Sequence, residues 1–206
     1  YKRQILSGFE SLHALSENEC RPYDEARDGI NLSDCIASVF MTTDPSQVTD
    51  QAFSYMGGAS ANDANHISGP SRNGEGLVRS VNRALEMARM PASTIDYISA
   101  HGTATRYNDE MESIAFERLE MSDVPVNSLK GYFGHTLGAA GVLEVVLAME
   151  QGQKNEVLAN KNLDEVGVSG KMNISGMTRN AEVNCILKTS SGFGGINSSI
   201  VFKKCS

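Results

Sequence analysis

Several features that mark common functional classes are absent from this sequence of 206 residues. No apolar run is long enough to span a membrane, and there is no basic block to favour nucleic acid, since the net charge is −7. The first residues do not resemble a signal peptide. Because residue 1 is Tyr1 rather than methionine, we expect that the chain was cut or cropped from a longer one.

Signatures of zinc sites and of serine hydrolases are also missing. The four cysteines contain no CxxC pair, and no spacing of histidine and cysteine is typical of zinc; they are Cys20, Cys35, Cys185 and Cys205. Reduced thiols in a cytoplasmic protein are the simplest interpretation, although two disulfides would also fit. The absence of a Gly-x-Ser-x-Gly elbow disfavours a hydrolase that uses a histidine.

The sequence does contain alternating strand and helix patterns. The patterns indicate helices at residues 77–90, 109–119 and 136–151, and strands at residues 36–43, 51–56, 95–100, 124–127, 183–187 and 198–202. Residues 1–29 are polar with little periodicity, and they end in turn signals at residues 21–24 and 27–29. This order indicates an α/β layered domain with a mixed sheet.

Two histidines occupy informative positions. His101 follows the strand at residues 95–100 and opens the run HGTAT, while His135 closes the run KGYFGH before an apolar helix. A strand end is a common place for functional residues, and a helix N-terminus disfavours a protonated imidazole. Two neutral imidazoles aimed at one thioester oxygen would stabilise an oxyanion, each by about 3 kcal/mol. A single histidine at a strand end is more often structural, so the prediction depends on the order and context of the motifs.

Neighbouring polar residues fit the same chemistry. Lys130 lies shortly before His135, and Glu112, on the helix after His101, is a candidate partner for its ammonium group. Thr103 and Thr105 offer hydroxyls near the same strand end, suited to a polar substrate arm. The run GFGG at residues 192–195 indicates a tight hairpin turn.

These motifs resemble, in their order, the C-terminal half of β-ketoacyl-acyl-carrier-protein synthases, condensing enzymes of the thiolase-like fold. The matching stretches are CRPYDEARDG at residues 20–29, HGTATRYNDEMES at 101–113, KGYFGHTLGAAGVLE at 130–144 and SGFGGINSS at 191–199. The resemblance implies that residues 1–206 form the C-terminal half of the duplicated fold, a layered α-β-α unit with a mixed five-stranded sheet. The family's nucleophilic cysteine belongs to the N-terminal half, which has no counterpart in this sequence.

The resemblance also implies roles for individual residues. His101 and His135 would hold the malonyl thioester oxygen and promote decarboxylation, and Lys130, paired with Glu112, would support them. The other implied roles are contacts of Thr103 and Thr105 with the phosphopantetheine arm of an acyl carrier protein, a pocket floor formed by Phe193 with Gly192 and Gly194, and a structural Glu144. No bound cofactor is implied beyond that arm.

We therefore expect part of an acyltransferase that joins an acyl thioester to malonyl carrier protein in fatty-acid or polyketide-type synthesis. Alone, this segment should be inactive, because it lacks the nucleophile. The alternative is a non-catalytic partner subunit, similar to a chain length factor, which shapes the acyl pocket or binds a carrier protein. Residues 136–149 are apolar on nearly all sides, so we expect an N-terminal half or a second copy of the chain to cover them.

Overall fold

Six strands form the main sheet, and helices pack on both of its faces. The computed structural model describes residues 2–205, so Tyr1 and Ser206, the ends of the predicted domain, lie outside the described residues. The strands of the main sheet are β1 (Phe53–Asn62), β2 (Tyr97–Ser99), β3 (Pro125–Asn127), β5 (Asn173–Ile174), β7 (Cys185–Gly192) and β8 (Ile196–Lys204). A small second sheet pairs β4 (Glu156–Val157) with β6 (Arg179–Asn180). The helices are α1 (Lys2–Ser11), α2 (Glu75–Ala88), α3 (Arg106–Arg118), α4 (Lys130–Phe133) and α5 (Ala140–Lys154).

The strand order of the main sheet is β1-β8-β7-β2-β3-β5. The pairs β1/β8 and β7/β8 are antiparallel, whereas β7/β2, β2/β3 and β3/β5 are parallel. The prediction of a mixed sheet is confirmed. The number of strands is six rather than five, because the two-residue strand β5 adds to the edge of β3. The strand β2 lies between two parallel neighbours, so the loop after it emerges at the shared carboxyl edge.

The sheet separates two apolar cores, as expected for a three-layer unit. One core holds Leu187 of β7 with residues of α2 and α3, such as Leu77 and Phe116. The other holds the adjacent residue Ile186 with Val145 of α5. Successive side chains of a strand point to opposite faces, which explains why neighbouring residues of β7 belong to different cores.

Most predicted elements are confirmed, with shifts of a few residues at their ends. The helix expected at residues 77–90 is α2, the one at 109–119 is α3, and the one at 136–151 begins with a 3-10 turn at Leu137–Ala139 and continues as α5. The strand expected at 51–56 extends further as β1, and the strands expected at 183–187 and 198–202 are the hairpin of β7 and β8.

The N-terminal quarter contains a helix that the sequence did not indicate and lacks a strand that it predicted. Residues 2–11 form the helix α1, although the sequence there showed little periodicity. Residues 36–43 are not a strand; they run without regular structure and expose Ile36 and Phe40, which are 99% and 78% accessible. A strand is defined by pairing with a neighbour, and within residues 2–205 this β-prone segment has no strand beside it.

The helix α5 is covered on one side only. Its buried residues Val145 and Ala148 pack with Ile186 and Phe202 of the sheet. The other side leaves Val142 and Leu143 half-buried and Val146 exposed, and a side-chain carbon placed on Gly141 would meet no atom within 4 Å. An apolar surface of this kind is typical of a face that another surface covers. No helix in the described part of the chain is long and apolar enough to cross a membrane.

Candidate active site

The loop after β2 places His101 at the carboxyl edge of the sheet. Glu112 of α3 holds this loop: its Oε1 accepts the backbone N–H of His101 at 2.8 Å, and its Oε2 accepts that of Gly102 at 2.7 Å. The hydroxyl of Tyr23 donates to the same Oε2 at 2.9 Å. Gly102 is required here because its φ is +43° and a side-chain carbon would come within 2.4 Å of Cβ of Ser128.

The expected ion pair between Lys130 and Glu112 is wrong. Lys130 Nζ lies 2.6 Å from Oε1 of Glu144, a residue of α5 for which the resemblance implied only a structural role. Both side chains are buried. Glu112 is occupied by the backbone of the β2–α3 loop, whereas α5 packs on the other side of the sheet edge and brings Glu144 to Lys130. Sequence spacing does not distinguish two buried glutamates on different helices.

Lys130 lies directly behind His101. Its ammonium group donates to the carbonyl oxygen of His101 at 2.5 Å and lies 3.2 Å from the ring nitrogen Nδ1. An ammonium group has only donors, so Nδ1 of His101 must be the acceptor. The ring proton of neutral His101 is therefore on Nε2.

His135 has the same tautomer for a different reason. The backbone N–H of Leu137 donates to its Nδ1 at 3.0 Å, which again assigns the ring proton to Nε2. The rings of His101 and His135 are 5.3 Å apart, centroid to centroid, and nearly perpendicular at 84°. The fold thus brings together two imidazoles that can each donate one N–H from the ring edge opposite Nδ1.

Both histidines are held in the neutral form. Burial, followed by the positive charge of Lys130, lowers the pKa of His101 well below its usual range. Burial and then Lys130 also lower the pKa of His135, to about 4. Burial alone would raise the pKa of Glu144, but the ammonium groups of Lys188 and Lys130 outweigh it and keep this carboxyl ionised.

Lys188 is a site residue that was missed from the sequence. It lies on β7, is almost fully buried, and its Nζ is 2.8 Å from Oε2 of Glu144. The signal was present, since a lysine directly follows the apolar residues Ile186 and Leu187 of a buried strand, but the strand was predicted to end at residue 187. A charged side chain inside such a strand needs a buried partner, and this requirement indicates a polar cluster.

A cavity of about 590 Å³ opens in front of the two rings. His101, His135, Thr103 and Thr105 line it, and the two threonine hydroxyls are 2.9 Å apart. Of the predicted pocket floor, Phe193 and Gly192 line the cavity. Gly194 is not among its lining residues; it lies in the β7–β8 turn with a φ of +82°, a conformation that favours glycine.

The helix α1 covers part of this cavity, which sequence reasoning did not indicate. The rings of Phe9 and Phe193 lie 5.5 Å apart, and Leu12 also lines the cavity. Within residues 2–205 no cluster of three or more histidine, cysteine, aspartate or glutamate side chains could hold a metal ion. The four cysteines, all free thiols, lie away from the cavity lining.

Comparison with known proteins places the chain in a family. The family model described as beta-ketoacyl synthase, C-terminal domain, matches residues 53–164. The 3-oxoacyl-acyl-carrier-protein synthase 2 of Rhizobium meliloti (strain 1021) is 35% identical, over 98% of this chain and 51% of that protein. The chain spans about half the length of such relatives.

Two solved structures have the same fold. A beta-ketoacyl synthase from Burkholderia phymatum STM815 has a TM-score of 0.86 at 27% identity, over 98% of this chain and 52% of that one. A ketosynthase in complex with its chain length factor, from Xenorhabdus doucetiae, has a TM-score of 0.85 at 28% identity, over 98% of this chain and 50% of that one. The sheet has the thiolase-like arrangement of these neighbours, and the chain belongs to the β-ketoacyl synthase C-terminal domain family.

Proposed function

We propose that this chain supplies the decarboxylation and oxyanion groups of a β-ketoacyl-acyl-carrier-protein synthase. One observation carries the proposal: His101 and His135 are both neutral, and both have Nδ1 occupied by a donor, Lys130 or a backbone N–H. Two Nε2–H groups are then free to donate to a single oxygen. Donors aimed at a developing oxyanion contribute about 3 kcal/mol each to the lowering of a barrier.

The reaction that these donors would support is the decarboxylation of a malonyl thioester. The thioester oxygen accepts hydrogen bonds from His101 and His135, the bond to the carboxylate carbon breaks, and its electron pair forms the enolate while carbon dioxide leaves. The enolate carbon then attacks an acyl thioester held on a cysteine, and the cysteine leaves as a thiolate. Neutral imidazoles suit this step because they stabilise the enolate without protonating it strongly.

The acyl-carrying thiol would come from another polypeptide surface. Burial raises the pKa of Cys20 to about 12 and raises that of Cys185, so neither thiol is activated. Neither cysteine lines the cavity. The relative from Rhizobium meliloti is about twice as long as the aligned region, and a region matching its other half is the natural source of a nucleophile.

The apolar side chains that this chain leaves exposed also favour an N-terminal ketosynthase half as the partner. One side of α5, with Val142 and Val146, and the exposed segment around Phe40 would bury their apolar side chains against an N-terminal ketosynthase half. A second copy of the chain is the other candidate for this surface. The substrate arm would be phosphopantetheine on an acyl carrier protein, the carrier after which the Rhizobium relative is named, and Thr103 and Thr105 would contact it.

Reconstitution tests this function. We would mix the chain with the N-terminal half of the Rhizobium meliloti relative and measure carbon dioxide release from malonyl carrier protein, followed by condensation with an acyl donor. We expect release with the wild-type chain and a loss of at least about 100-fold in the double variant His101→Ala/His135→Ala. Circular dichroism checks that the variant is folded.

Two outcomes would contradict the proposal. If carbon dioxide release survives in the folded double variant, the imidazoles are not the oxyanion donors. If a stable complex forms but the wild-type chain neither decarboxylates nor condenses, the non-catalytic partner role becomes the better assignment. The retained set of His101, His135 and Lys130 is the specific observation that favours the catalytic role.

A further inference from the structure

A second buried lysine takes part in the ion-pair cluster behind the histidines. The side chain of Lys188 is 3% exposed, and its ammonium group lies 2.8 Å from Oε2 of Glu144. It also donates to the backbone carbonyl of Ser99 at 3.3 Å and to that of Thr189. A charged group in the protein interior is costly unless it is paired, so these three oxygens explain why an ammonium is tolerated in the middle of the sheet.

Glu144 lies between two ammonium groups. The ammonium group of Lys130 donates a hydrogen bond to its Oε1 at 2.6 Å, and that of Lys188 forms an ion pair with its Oε2 at 2.8 Å without hydrogen-bond geometry. A carboxylate held at both oxygens cannot rotate without breaking an ion pair. Since Lys130 also contacts Nδ1 and the carbonyl oxygen of His101, the four side chains form one continuous series, from Lys188 through Glu144 and Lys130 to His101.

The position of Lys188 separates it from the substrate. His101 and His135 line the cavity, whereas Lys188 and Glu144 do not. Any effect of Lys188 on the reaction must therefore pass through its contact with Glu144 or through the positive charge of Lys188 itself. Removing Lys188 would leave Oε2 of Glu144 without a cation and allow the carboxylate, and with it the Lys130 ammonium, to move.

The charged and titratable groups around Lys188 come from several elements. The groups that interact with the charge of Lys188 are Glu144 of α5, Lys130 of α4, Glu112 of α3, His101 and His135. Tyr97 and Tyr23 interact with Glu144, and Asp109 interacts with Glu112. Among them, Glu144 lies closest to the ammonium group of Lys188 and is its only ion-pair partner within the described residues. Glu144 is therefore the group through which Lys188 contacts the histidine site, while its charge also lowers the pKa of His101 and of His135 directly.

We propose, on the basis of the function proposed above, that Lys188 is a positioning residue of the histidine site. By holding Oε2 of Glu144, it fixes the Lys130 ammonium against His101 and so keeps the His101 proton on Nε2. A loss of Lys188 then lowers turnover without weakening substrate binding, because the substrate does not contact it. Partners that orient metal-bound histidines from behind typically contribute about 10-fold to 100-fold, and we expect an effect at the lower end of that range here.

The test combines nitrogen NMR of labelled histidine with kinetics in the reconstituted complex. The variants are Lys188→Met, Glu144→Gln and the double variant, with Lys171→Met as a control that removes a lysine exposed on the surface. In Lys188→Met we expect a mixture of His101 tautomers, a His101 titration shifted to higher pH, and kcat about 10-fold lower with little change in KM. Lys171→Met should match the wild-type chain in all three measurements.

Non-additivity is the decisive measurement. If Lys188 acts through Glu144, the double variant should behave like Glu144→Gln alone, in tautomer and in kcat. Additive effects, or an unchanged His101 tautomer and pH profile in Lys188→Met, would overturn the proposal. Should Lys188→Met fail to fold, Lys188→Gln replaces it in the same cycle, because glutamine keeps a polar donor at this buried position and Glu144 keeps its ion pair with Lys130.

Failure of this proposal is distinguishable from failure of the proposed function. The tautomer measurement needs no turnover, so it reports on Lys188 even if the chain does not decarboxylate malonyl carrier protein. Conversely, activity that requires His101 and His135 but ignores Lys188 would leave the proposed function intact.

Discussion

At the scale of single residues, the structure gives the neutrality of His135 a cause that the sequence did not indicate. From the sequence, a neutral His135 was expected because of a helix N-terminus. In the structure His135 precedes a 3-10 turn that continues into α5, and burial followed by the charge of Lys130 lowers its pKa. Burial and Lys130 come from the tertiary environment, and the local backbone contributes as well, since the N–H of Leu137 donates to Nδ1 of His135.

The same shift predicts how stability depends on pH. The pKa of His135 is about 4 in the folded chain and 6.5 when unperturbed, so below pH 6.5 the unfolded state takes up the proton first. The contribution of neutral His135 to the free energy of unfolding is complete above pH 6.5. It is lost as the pH falls through about 4, by an amount on the order of 3 kcal/mol. Chemical denaturation at pH 4 to 7.5, comparing the wild-type chain with His135→Gln, measures it. A difference between the two that does not change with pH would contradict this prediction.

At the scale of elements, the conformation of the loop that carries His101 depends on a contact between α3 and the end of β2. The sequence predicted both elements and placed His101 at the strand end. The sequence predicted an ion pair between Glu112 and Lys130. In the structure Glu112 instead accepts hydrogen bonds from the backbone N–H groups of His101 and Gly102 and from the hydroxyl of Tyr23. A fully buried carboxylate that satisfies backbone donors keeps the loop in one conformation.

This contact predicts a large effect of Glu112→Ala on stability. The change leaves at least two buried backbone donors and one hydroxyl without an acceptor, and each such group costs about 1–3 kcal/mol. We expect the free energy of unfolding to fall by at least about 3 kcal/mol, with Glu112→Gln intermediate because it keeps one acceptor oxygen.

Urea denaturation measures this effect. The exposed Glu117 on the same helix offers a matched control, and Glu117→Ala should change the free energy of unfolding by less than about 0.5 kcal/mol. If Glu112→Ala were as mild as this control, Glu112 would not hold the loop.

At the scale of the whole molecule, the chain has two buried apolar cores and also exposes apolar side chains. The cores on the two faces of the sheet are internal to the chain. Two further apolar areas have no cover within the described residues: one side of α5, with Val146, and the segment around Phe40. The segment around Phe40 is apolar and β-prone, and the absence of a neighbouring strand explains why the predicted strand at residues 36–43 does not form here.

The uncovered side of α5 predicts a substitution that affects association and not folding. Val146→Glu places a charge on the uncovered side of α5, so the chain's own unfolding free energy should change by less than about 0.5 kcal/mol. Affinity for the N-terminal half of the Rhizobium meliloti relative should fall at least about 10-fold, since a buried unpaired charge is costly.

Titration calorimetry of the two halves measures the affinity. Met87→Glu is the matched control, because Met87 is an exposed apolar residue of α2 on the opposite face of the sheet. It should leave the affinity unchanged. Equal weakening by both substitutions, or by neither, would show that α5 is not the contact surface.

The sequence by itself determined the alternation of strands and helices, the mixed sheet and the positions of His101 and His135 next to their elements. These follow from apolar periodicity and turn residues, which act over a few neighbouring positions. Only the tertiary structure decided that Glu144 and not Glu112 pairs with Lys130, that Lys188 joins this pair, and that α1 covers the cavity. Those contacts join residues from separate elements, and a buried charge takes whichever partner the packing of helices on the sheet brings within about 3 Å.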